Sequence, residues 1–184
     1  NATMDQQAIF SFAQYPFIFR LLFSPLNDTY FSSYIGKCKT WLVTCLFMLG
    51  ILTAYLSFYI DSLIHVDRII ELTLVMTVVN IFFIMIRISG EMWMSKIYDK
   101  EDDKAKGALM SFIGFGIGTF FGLNVFTTLN NVKWLNDHLF STSPRKTPLI
   151  TDQGFLLFLA IAFIFYGMYL LFFVAEKMSN TELE

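Results

Sequence analysis

The sequence predicts an all-α protein, a polytopic membrane helix bundle of about five transmembrane helices. Three runs contain no charged side chain: residues 41–60 (20 residues), 107–129 (23) and 154–175 (22). Roughly 20 helical residues cross a hydrocarbon core about 30 Å thick. Inside lipid the backbone must form its hydrogen bonds within the segment, so each run is predicted to be a helix. Strands of a membrane barrel would alternate apolar and polar residues, and these runs do not alternate.

Two further spans complete the predicted bundle, a single domain over residues 1–184. The span 7–26 is apolar but carries Arg20, and the span 69–94 carries Arg87 and Glu91. Ionisable side chains at membrane depth usually face protein or water rather than lipid. We therefore expect both helices to turn a polar stripe away from lipid. For 69–94 the alternative is a short buried helix.

Composition excludes several classes of protein. The chain of 184 residues is 55% hydrophobic and 18% aromatic with a formal net charge of -2, which excludes a disordered or collagen-like chain. A net charge near zero gives no indication of a nucleic-acid partner. The cysteines and histidines lack metal-ligand spacing, and neither a phosphate loop nor a nucleophile with a base is present. We expect no metal, no enzyme activity and no cofactor apart from bound lipids.

The basic residues of the loops predict an orientation. Cytoplasmic loops of membrane proteins carry an excess of lysine and arginine. The first loop, the third loop and the tail hold seven basic residues: Lys37, Lys39, Lys96, Lys100, Lys104, Lys106 and Lys177. The opposite face holds four: Arg68, Lys133, Arg145 and Lys146. The first face is therefore predicted to lie in the cytoplasm, or in the matrix if the membrane is the mitochondrial inner membrane rather than the endoplasmic reticulum.

The loop after the first span has the pattern of a polar latch. Asp28 stands at the end of one predicted helix, Gly36 provides a turn, and Lys37 and Lys39 stand at the start of the next helix. We expect Asp28 to bond with a lysine or a backbone amide across this tight hairpin, which would hold neighbouring helices in one state. The alternative is an ordinary short loop with basic topology signals.

Three glycines recur at intervals of four along the span 107–129: Gly114, Gly118 and Gly122. This spacing forms a groove in which a second helix backbone can approach closely. It predicts a close helical neighbour, inside the chain or outside it. Lining a permeation path is the alternative role.

Arg20, Arg87 and Glu91 are the charges predicted at membrane depth. Such groups are costly unless they are paired or hydrated, which makes them candidate functional residues. Arg87 and Glu91 are four residues apart, so they share a helix face and can pair. For Arg87 a functional role and a structural role near the membrane surface both remain open.

Four segments follow one another at a distinctive spacing: DQQAIFSF (5–12), YPF (15–17), LLFSPLND (21–28) and GKCKTWLV (36–43). In this order they resemble the acetyl-coenzyme A transporter family of the major facilitator superfamily, over its helix 2 and the start of helix 3. A weaker likeness continues through residues 55–61 and 118–122, and 154–175 stands where helix 6 is expected. The resemblance implies a partial N-terminal half of a major-facilitator fold, with acetyl-coenzyme A as the family's substrate.

The sequence also departs from that family pattern. The chain starts in what resembles the helix 1–2 loop, and neither helix 1 nor the C-terminal half is present in the sequence. The family's helix 4 resembles Gln-Asp-x-x-x-Asp-Gly-Trp, and the positions here are Ile86, Arg87, Glu91, Met92 and Trp93. Polar positions of its helix 5 align with Ala108, Ser111, Phe112 and Phe115. These changes predict a retained fold with an altered transport face.

Two functional hypotheses follow. The first is a transporter-derived accessory or structural subunit, bound to lipids and to other membrane subunits in a hetero-oligomeric complex. The second is an active transporter of acetyl-coenzyme A or a related anion, seen as a fragment or assembling from half-size chains. Acetyl-coenzyme A is an expected ligand only under the second hypothesis.

Overall fold

The computed structural model describes residues 4–29, 32, 34–63, 68–98, 101–138 and 147–176. Its α-helices are α1 Met4–Ser11, α2 Tyr15–Ile18, α3 Arg20–Thr29, α4 Lys37–Leu63, α5 Ile69–Ile97, α6 Glu101–Thr119, α7 Phe126–Asn130, α8 Val132–His138 and α9 Asp152–Phe173. Four helical segments are long and apolar enough to cross a membrane: Lys37–Leu63, Ile69–Ile97, Asp103–Asn130 and Asp152–Phe173. The predicted all-α membrane bundle is confirmed.

The first predicted span is not one continuous helix. Residues 7–26 fall into α1, a 3-10 turn at Phe12–Gln14, α2 and α3, with a break at Phe19. Pro16 lies in the first turn of α2, and Pro25 lies inside α3. Proline lacks an N–H group and its ring clashes with the preceding turn, so it breaks or bends a helix. Four membrane-length helices are therefore described where about five were expected.

The other spans differ from prediction mainly at their ends. The runs 41–60 and 154–175 correspond to α4 and α9. The span 69–94 corresponds to α5, whose 29 residues exclude the short-helix alternative. The run 107–129 lies within a longer helix that includes a π-helical segment at Phe120–Val125. Charged and polar residues continue these helices beyond the apolar runs, because helix ends can extend past the hydrocarbon core.

The core forms where α4 packs between α5 and α9. Its largest buried cluster joins α4 to α5 through Leu49, Leu56, Ile60, Leu63, Leu72 and Val79. At the crossing of α4 with α9, a Cβ added at Gly50 would lie 2.5 Å from Ile164 Cγ1 and 3.2 Å from the Ala160 carbonyl oxygen. Such close approach of two helices requires a small residue. Gly50 therefore sets the spacing between α4 and α9.

The remaining helices pack loosely around this core. Helices α1, α2 and α3 lie along α5, where the Asn80 side-chain amide donates to the Ala13 carbonyl oxygen at 2.7 Å. Helix α6 meets the end of α5 at Gly107, next to Tyr98 and Met94. Within the segment Asp103–Asn130, no residue of the most apolar stretch is buried. This helix therefore turns most of its surface away from the described chain.

Polar contacts tie α9 to its neighbours at its first turn. The Gln153 side-chain amide donates to Asp61 at 2.6 Å, and Ser57 donates to the Gln153 carbonyl oxygen at 2.8 Å. The Asn130 amide donates to Asp152 at 2.6 Å. These bonds fix one end of α9 against α4 and α7.

Candidate functional site

A buried carboxylate joins three helices at the opposite, lysine-rich end of the bundle. Glu176 follows α9, and its side chain is 1% exposed. It accepts hydrogen bonds from the backbone N–H groups of Lys39 at 2.8 Å and Cys38 at 3.2 Å, and its Oε1 lies 3.4 Å from Lys96 Nζ on α5. The first N–H groups of a helix lack partners within the helix and carry partial positive charge, so a carboxylate stabilises them.

Gly36 makes room for this carboxylate. Its φ angle is 107°, in the left-handed region that glycine adopts readily. A Cβ added at Gly36 would lie 2.5 Å from Glu176 Oε2. Backbone conformation and available space therefore both favour glycine at this position.

Lys39 forms the reciprocal contact. Its Nζ donates to the Leu171 carbonyl oxygen at 2.9 Å, near the end of α9, and the residue is 7% exposed. The last carbonyl groups of a helix lack intrahelical partners and attract cations. Lys39 thus stabilises the end of α9, while Glu176 stabilises the start of α4. We call Gly36, Lys39, Lys96 and Glu176 the clasp.

The clasp shares Gly36 and Lys39 with the predicted latch, but its carboxylate is that of Glu176. Lys37 and Lys39 lie in the first turn of α4, and Gly36 precedes it. The side chain of Asp28 lies outside the described residues, so its contact stays a prediction. Sequence analysis missed Glu176, which is 137 residues from Lys39. One signal was available, because an acidic residue directly after the last apolar run belongs at the lysine-rich face.

The three charges predicted at membrane depth lie together between α3 and α5. Arg20 Nη2 pairs with Glu91 Oε2, and Arg87 Nε lies 3.1 Å from Glu91 Oε1. Each carboxylate oxygen thus contacts one arginine. The spacing of Arg87 and Glu91 indicated their pairing, whereas the partner from α3 had no signal in the sequence.

Two of these charged residues, Arg20 and Glu91, line a cleft of about 390 Å³. We call it the charged cleft; its lining residues are Arg20, Leu21, Ser24, Ile88, Glu91, Met92 and Ser95. The side chains of Arg20 and Glu91 are 38% and 44% exposed. Glu91 precedes the last residue of α5, Ile97, by six residues, or about 9 Å at the rise of an α-helix. The charged cleft therefore lies inside the membrane-length part of α5, towards the lysine-rich end.

The glycine stripe has no close neighbour in the described part of the chain. A Cβ added at Gly114, Gly118 or Gly122 would meet no atom within 4 Å. The predicted close helix is therefore absent from residues that the structure describes, and a neighbour outside the chain stays a prediction. Packing glycines do occur elsewhere, at Gly50 and at Gly167, whose added Cβ would lie 3.4 Å from Leu46 Cβ.

Four membrane-length helices with ionisable groups at membrane depth define an integral multi-pass membrane protein. The family model described as Acetyl-coenzyme A transporter 1 matches residues 1–184, the whole of the sequence. The chain belongs to this family, and the resemblance seen in its first quarter is confirmed.

Two curated relatives are themselves uncharacterized. A membrane protein of Saccharomyces cerevisiae is 24% identical over 186 residues, which cover 92% of this chain and 33% of that protein. A protein of Schizosaccharomyces pombe is 32% identical over 62 residues, or 34% of this chain and 12% of that protein. The chain thus spans about a third of the length of the first relative. No solved structure matches the chain.

Proposed function

We propose that this chain forms part of a membrane carrier for anionic coenzyme A thioesters, with acetyl-coenzyme A as the first candidate substrate. The family match supports transport, and the charged cleft is the observation that carries the proposal. Its charged lining residues are Arg20 and Glu91, and Arg87 pairs with the same glutamate from beside the cleft. Charged side chains inside membrane segments commonly mark the paths of ions and substrates.

The chemistry of the cleft suits such a substrate. Coenzyme A thioesters carry phosphate groups, and the planar guanidinium of arginine binds phosphate through paired hydrogen bonds. The apolar side chains of Leu21, Ile88 and Met92 border the same cleft. A ligand with phosphate groups and a less polar arm would find both kinds of surface there.

The clasp supplies a contact that a carrier would have to keep or break. Carriers of this general kind expose their site alternately to each side by moving one group of helices against another. Glu176 joins the start of α4, the end of α5 and the segment after α9. We propose that the clasp keeps these three ends together as one rigid unit during transport.

Reconstitution tests the proposal. The protein is purified from its source membrane through a tag on this chain, placed in liposomes and supplied with labelled acetyl-coenzyme A. Saturable uptake that unlabelled coenzyme A inhibits is the expected result, with protein-free liposomes as control. Uptake that rises linearly with the concentration of acetyl-coenzyme A, and that unlabelled coenzyme A does not inhibit, would contradict a carrier.

A second candidate function is that of an accessory or structural subunit. It is favoured by the helix Asp103–Asn130, whose most apolar stretch is unburied and whose glycine stripe contacts nothing within the described chain. Under this hypothesis the partners are membrane lipids and other membrane protein subunits, and neither hypothesis involves nucleic acid or enzyme activity. A stoichiometric complex on a native gel, together with no uptake by the isolated chain, would favour it over a carrier. Fractionation would assign the membrane to mitochondria or the endoplasmic reticulum.

A further inference from the structure

The first apolar segment of the chain is anchored on α5 before Phe19 and loosely held after it. Before Phe19, Ala13 is 2% exposed and accepts a hydrogen bond from the Asn80 amide of α5, and Pro16 is buried as well. In α3, by contrast, none of the side chains that the structure describes is buried, and Leu22 is 70% exposed. The way this segment is held therefore changes at Phe19.

Phe19 is a joint between these two parts. Its φ and ψ angles are -87° and 16°, and the helix is interrupted there. The ten-residue helix α3 ends at Thr29, and the chain is fixed again at Ser32, whose backbone N–H donates to Thr40 Oγ1 at 3.3 Å. Helix α3 is therefore a short rigid element carried between two fixed points.

An ion pair takes the place of close packing between α3 and α5. Among the described side chains, the polar contact between the two helices is that of Arg20 with Glu91. Arg20 is the first residue of α3, so this pair fixes the position of the first turn. The charged cleft of about 390 Å³ lies beside the pair, and side chains that line such a gap lose contacts across it. The position of α3 therefore depends on this ion pair.

Arg87 allows the pair to open without leaving Glu91 unpaired. Arg87 Nε lies 3.1 Å from Glu91 Oε1, whereas Arg20 contacts Oε2. When Arg20 moves away, Glu91 keeps a cation on its own helix, four residues distant. Arg20 is 38% exposed, and its long side chain can place the guanidinium in water while its stem stays on apolar surface. Both arrangements thus avoid the cost of an isolated charge at membrane depth.

We propose that α3 is a hinged strap over the charged cleft, closed by the pair of Arg20 with Glu91 and pivoting at Phe19 when that pair opens. In the closed arrangement the pair holds the first turn of α3 on α5. In the open arrangement Glu91 stays with Arg87, the first turn moves away from α5 and the cleft widens. In a carrier the open strap would admit a ligand to the cleft. That consequence rests on the proposed function, whereas the motion of the strap does not.

Distances between two spin labels test the motion. Leu22→Cys carries one label on the first turn of α3, and Phe165→Cys carries the other on α9, across the core; both native side chains are exposed. The buried Cys38 and Cys45 are replaced by alanine in every sample. Pulsed electron paramagnetic resonance of the full chain in nanodiscs then gives the distribution of distances.

Loss of the ion pair should release the strap. Glu91→Gln should raise the ratio of displaced to docked α3 by about two- to fivefold, the range expected for a partly exposed ion pair. Arg20→Gln should have the same effect. Adding Arg20→Gln to Glu91→Gln should change the distribution little further, because the two side chains act through one contact.

Two controls separate the strap from a general loosening of the bundle. Glu71→Gln changes a glutamate on the same helix that contacts Arg68 at 4.0 Å and does not line the cleft, so it should leave the distances unchanged. A label at Ile18→Cys, just before the joint and 72% exposed in the native chain, should keep its distance to Phe165→Cys in every variant.

The role of the strap in transport is measured separately. Ser24 on α3 and Ser95 on α5 both line the cleft, so a cleavable thiol cross-linker between Ser24→Cys and Ser95→Cys should hold the strap closed. Cross-linking should abolish uptake of acetyl-coenzyme A into liposomes, and cleavage of the linker should restore it. Uptake that persists in the cross-linked protein would overturn the gating role. Absence of uptake before cross-linking would count against the carrier, and the label distances would still decide the strap.

The label distances can overturn the proposal in two ways. Distributions from Leu22→Cys that stay as in the wild type in both Glu91→Gln and Arg20→Gln would show that the ion pair does not hold α3. Equal broadening at Ile18→Cys and Leu22→Cys would show that the whole segment moves, without a joint at Phe19. If Glu91→Gln fails to fold, Arg20→Gln carries the test, because it leaves the contact of Arg87 with Glu91 in place.

Discussion

The α4–α5–α9 core and the surrounding helices differ in where their polar groups lie and in how their apolar surfaces are covered. In the core, apolar side chains fill the faces between helices and polar contacts lie at the helix ends, in the clasp and around Gln153. Around it, α3 brings Arg20 to Glu91 towards the lysine-rich end of α5, and the helix Asp103–Asn130 leaves its apolar stretch unburied. The two regions therefore differ in where their polar groups lie, although both consist of long apolar segments.

The difference teaches what holds helices together in lipid. Lipid tails are as apolar as leucine, so burial against another helix gains little, and association depends on close packing and hydrogen bonds. The core has both, through Gly50 and through Glu176. The surrounding helices have few such contacts with the rest of the described chain, so they are the surfaces that ligands, lipids or other polypeptides can occupy.

Gly50→Leu should have the largest effect on folding. Its Cβ alone would lie 2.5 Å from Ile164 Cγ1 and 3.2 Å from the Ala160 carbonyl oxygen, so α4 and α9 would have to separate. Overpacking typically costs roughly 1–3 kcal/mol, and here a backbone atom is involved, which favours the upper end. The unfolding temperature in detergent should fall by roughly 2–4 °C for each kcal/mol of lost stability in a chain of this size.

Gly90→Leu is the control for this substitution, because a Cβ added at Gly90 would meet no atom within 4 Å. It should leave the unfolding temperature nearly unchanged. A Gly50→Leu protein as stable as the Gly90→Leu protein would show that the α4–α9 crossing does not limit the bundle.

Glu176→Ala should have the next largest effect. It removes a buried charged acceptor from two backbone N–H groups and from Lys96, and a hydrogen bond to a charged group contributes about 1.5–3 kcal/mol. Thermal unfolding measures the loss, with Glu71→Ala as control, because Glu71 is exposed and contacts Arg68 at only 4.0 Å. Equal stability of the two variants would contradict a stabilising role for the clasp.

A double-mutant cycle with Gly36→Ala and Glu176→Ala tests whether these two residues interact. The substitution places a side chain at φ 107° and a Cβ 2.5 Å from Glu176 Oε2. The left-handed backbone costs about 1–2 kcal/mol whatever residue stands at 176. In the Glu176→Ala background the contacts with Oε2 and Cδ are gone and only the contact with Cβ at 2.8 Å remains, so Gly36→Ala should cost less than it does in the wild type. Additive costs would show that the two residues do not interact.

The sequence predicted the helices well because membrane spans depend on local composition. A run of some 20 apolar residues must satisfy its own backbone, which is why 41–60 and 154–175 correspond closely to α4 and α9. The span 7–26 was predicted as one helix from its apolar composition. The structure divides it near Pro16, whereas Pro25 lies inside the continuous helix α3.

The polar sites were less predictable because their partners are distant in sequence. The contact of Arg87 with Glu91 follows from helix periodicity, but Arg20 is 71 residues from Glu91. Similarly, neither Gly50 nor Gly167 belongs to a four-residue glycine repeat, so no repeat marked them as packing positions. Only the folded arrangement of α4 and α9 identifies the glycines that lie in contact.

Gly118→Leu should have the smallest effect on the chain's own stability and a separate effect on assembly. No atom lies within 4 Å of a Cβ added at Gly118, and leucine favours helix over glycine by up to about 0.8–1 kcal/mol. The unfolding temperature of the isolated chain should therefore stay constant or rise slightly. If a helix from another polypeptide lies against the stripe of Gly114, Gly118 and Gly122, the added side chain must force it away. Native gels of the source membrane, compared between Gly118→Leu and Met110→Leu on the same exposed helix, measure that effect. A smaller complex in Gly118→Leu alone indicates an external neighbour, whereas identical complexes in both variants would show that the glycine groove is not an interface.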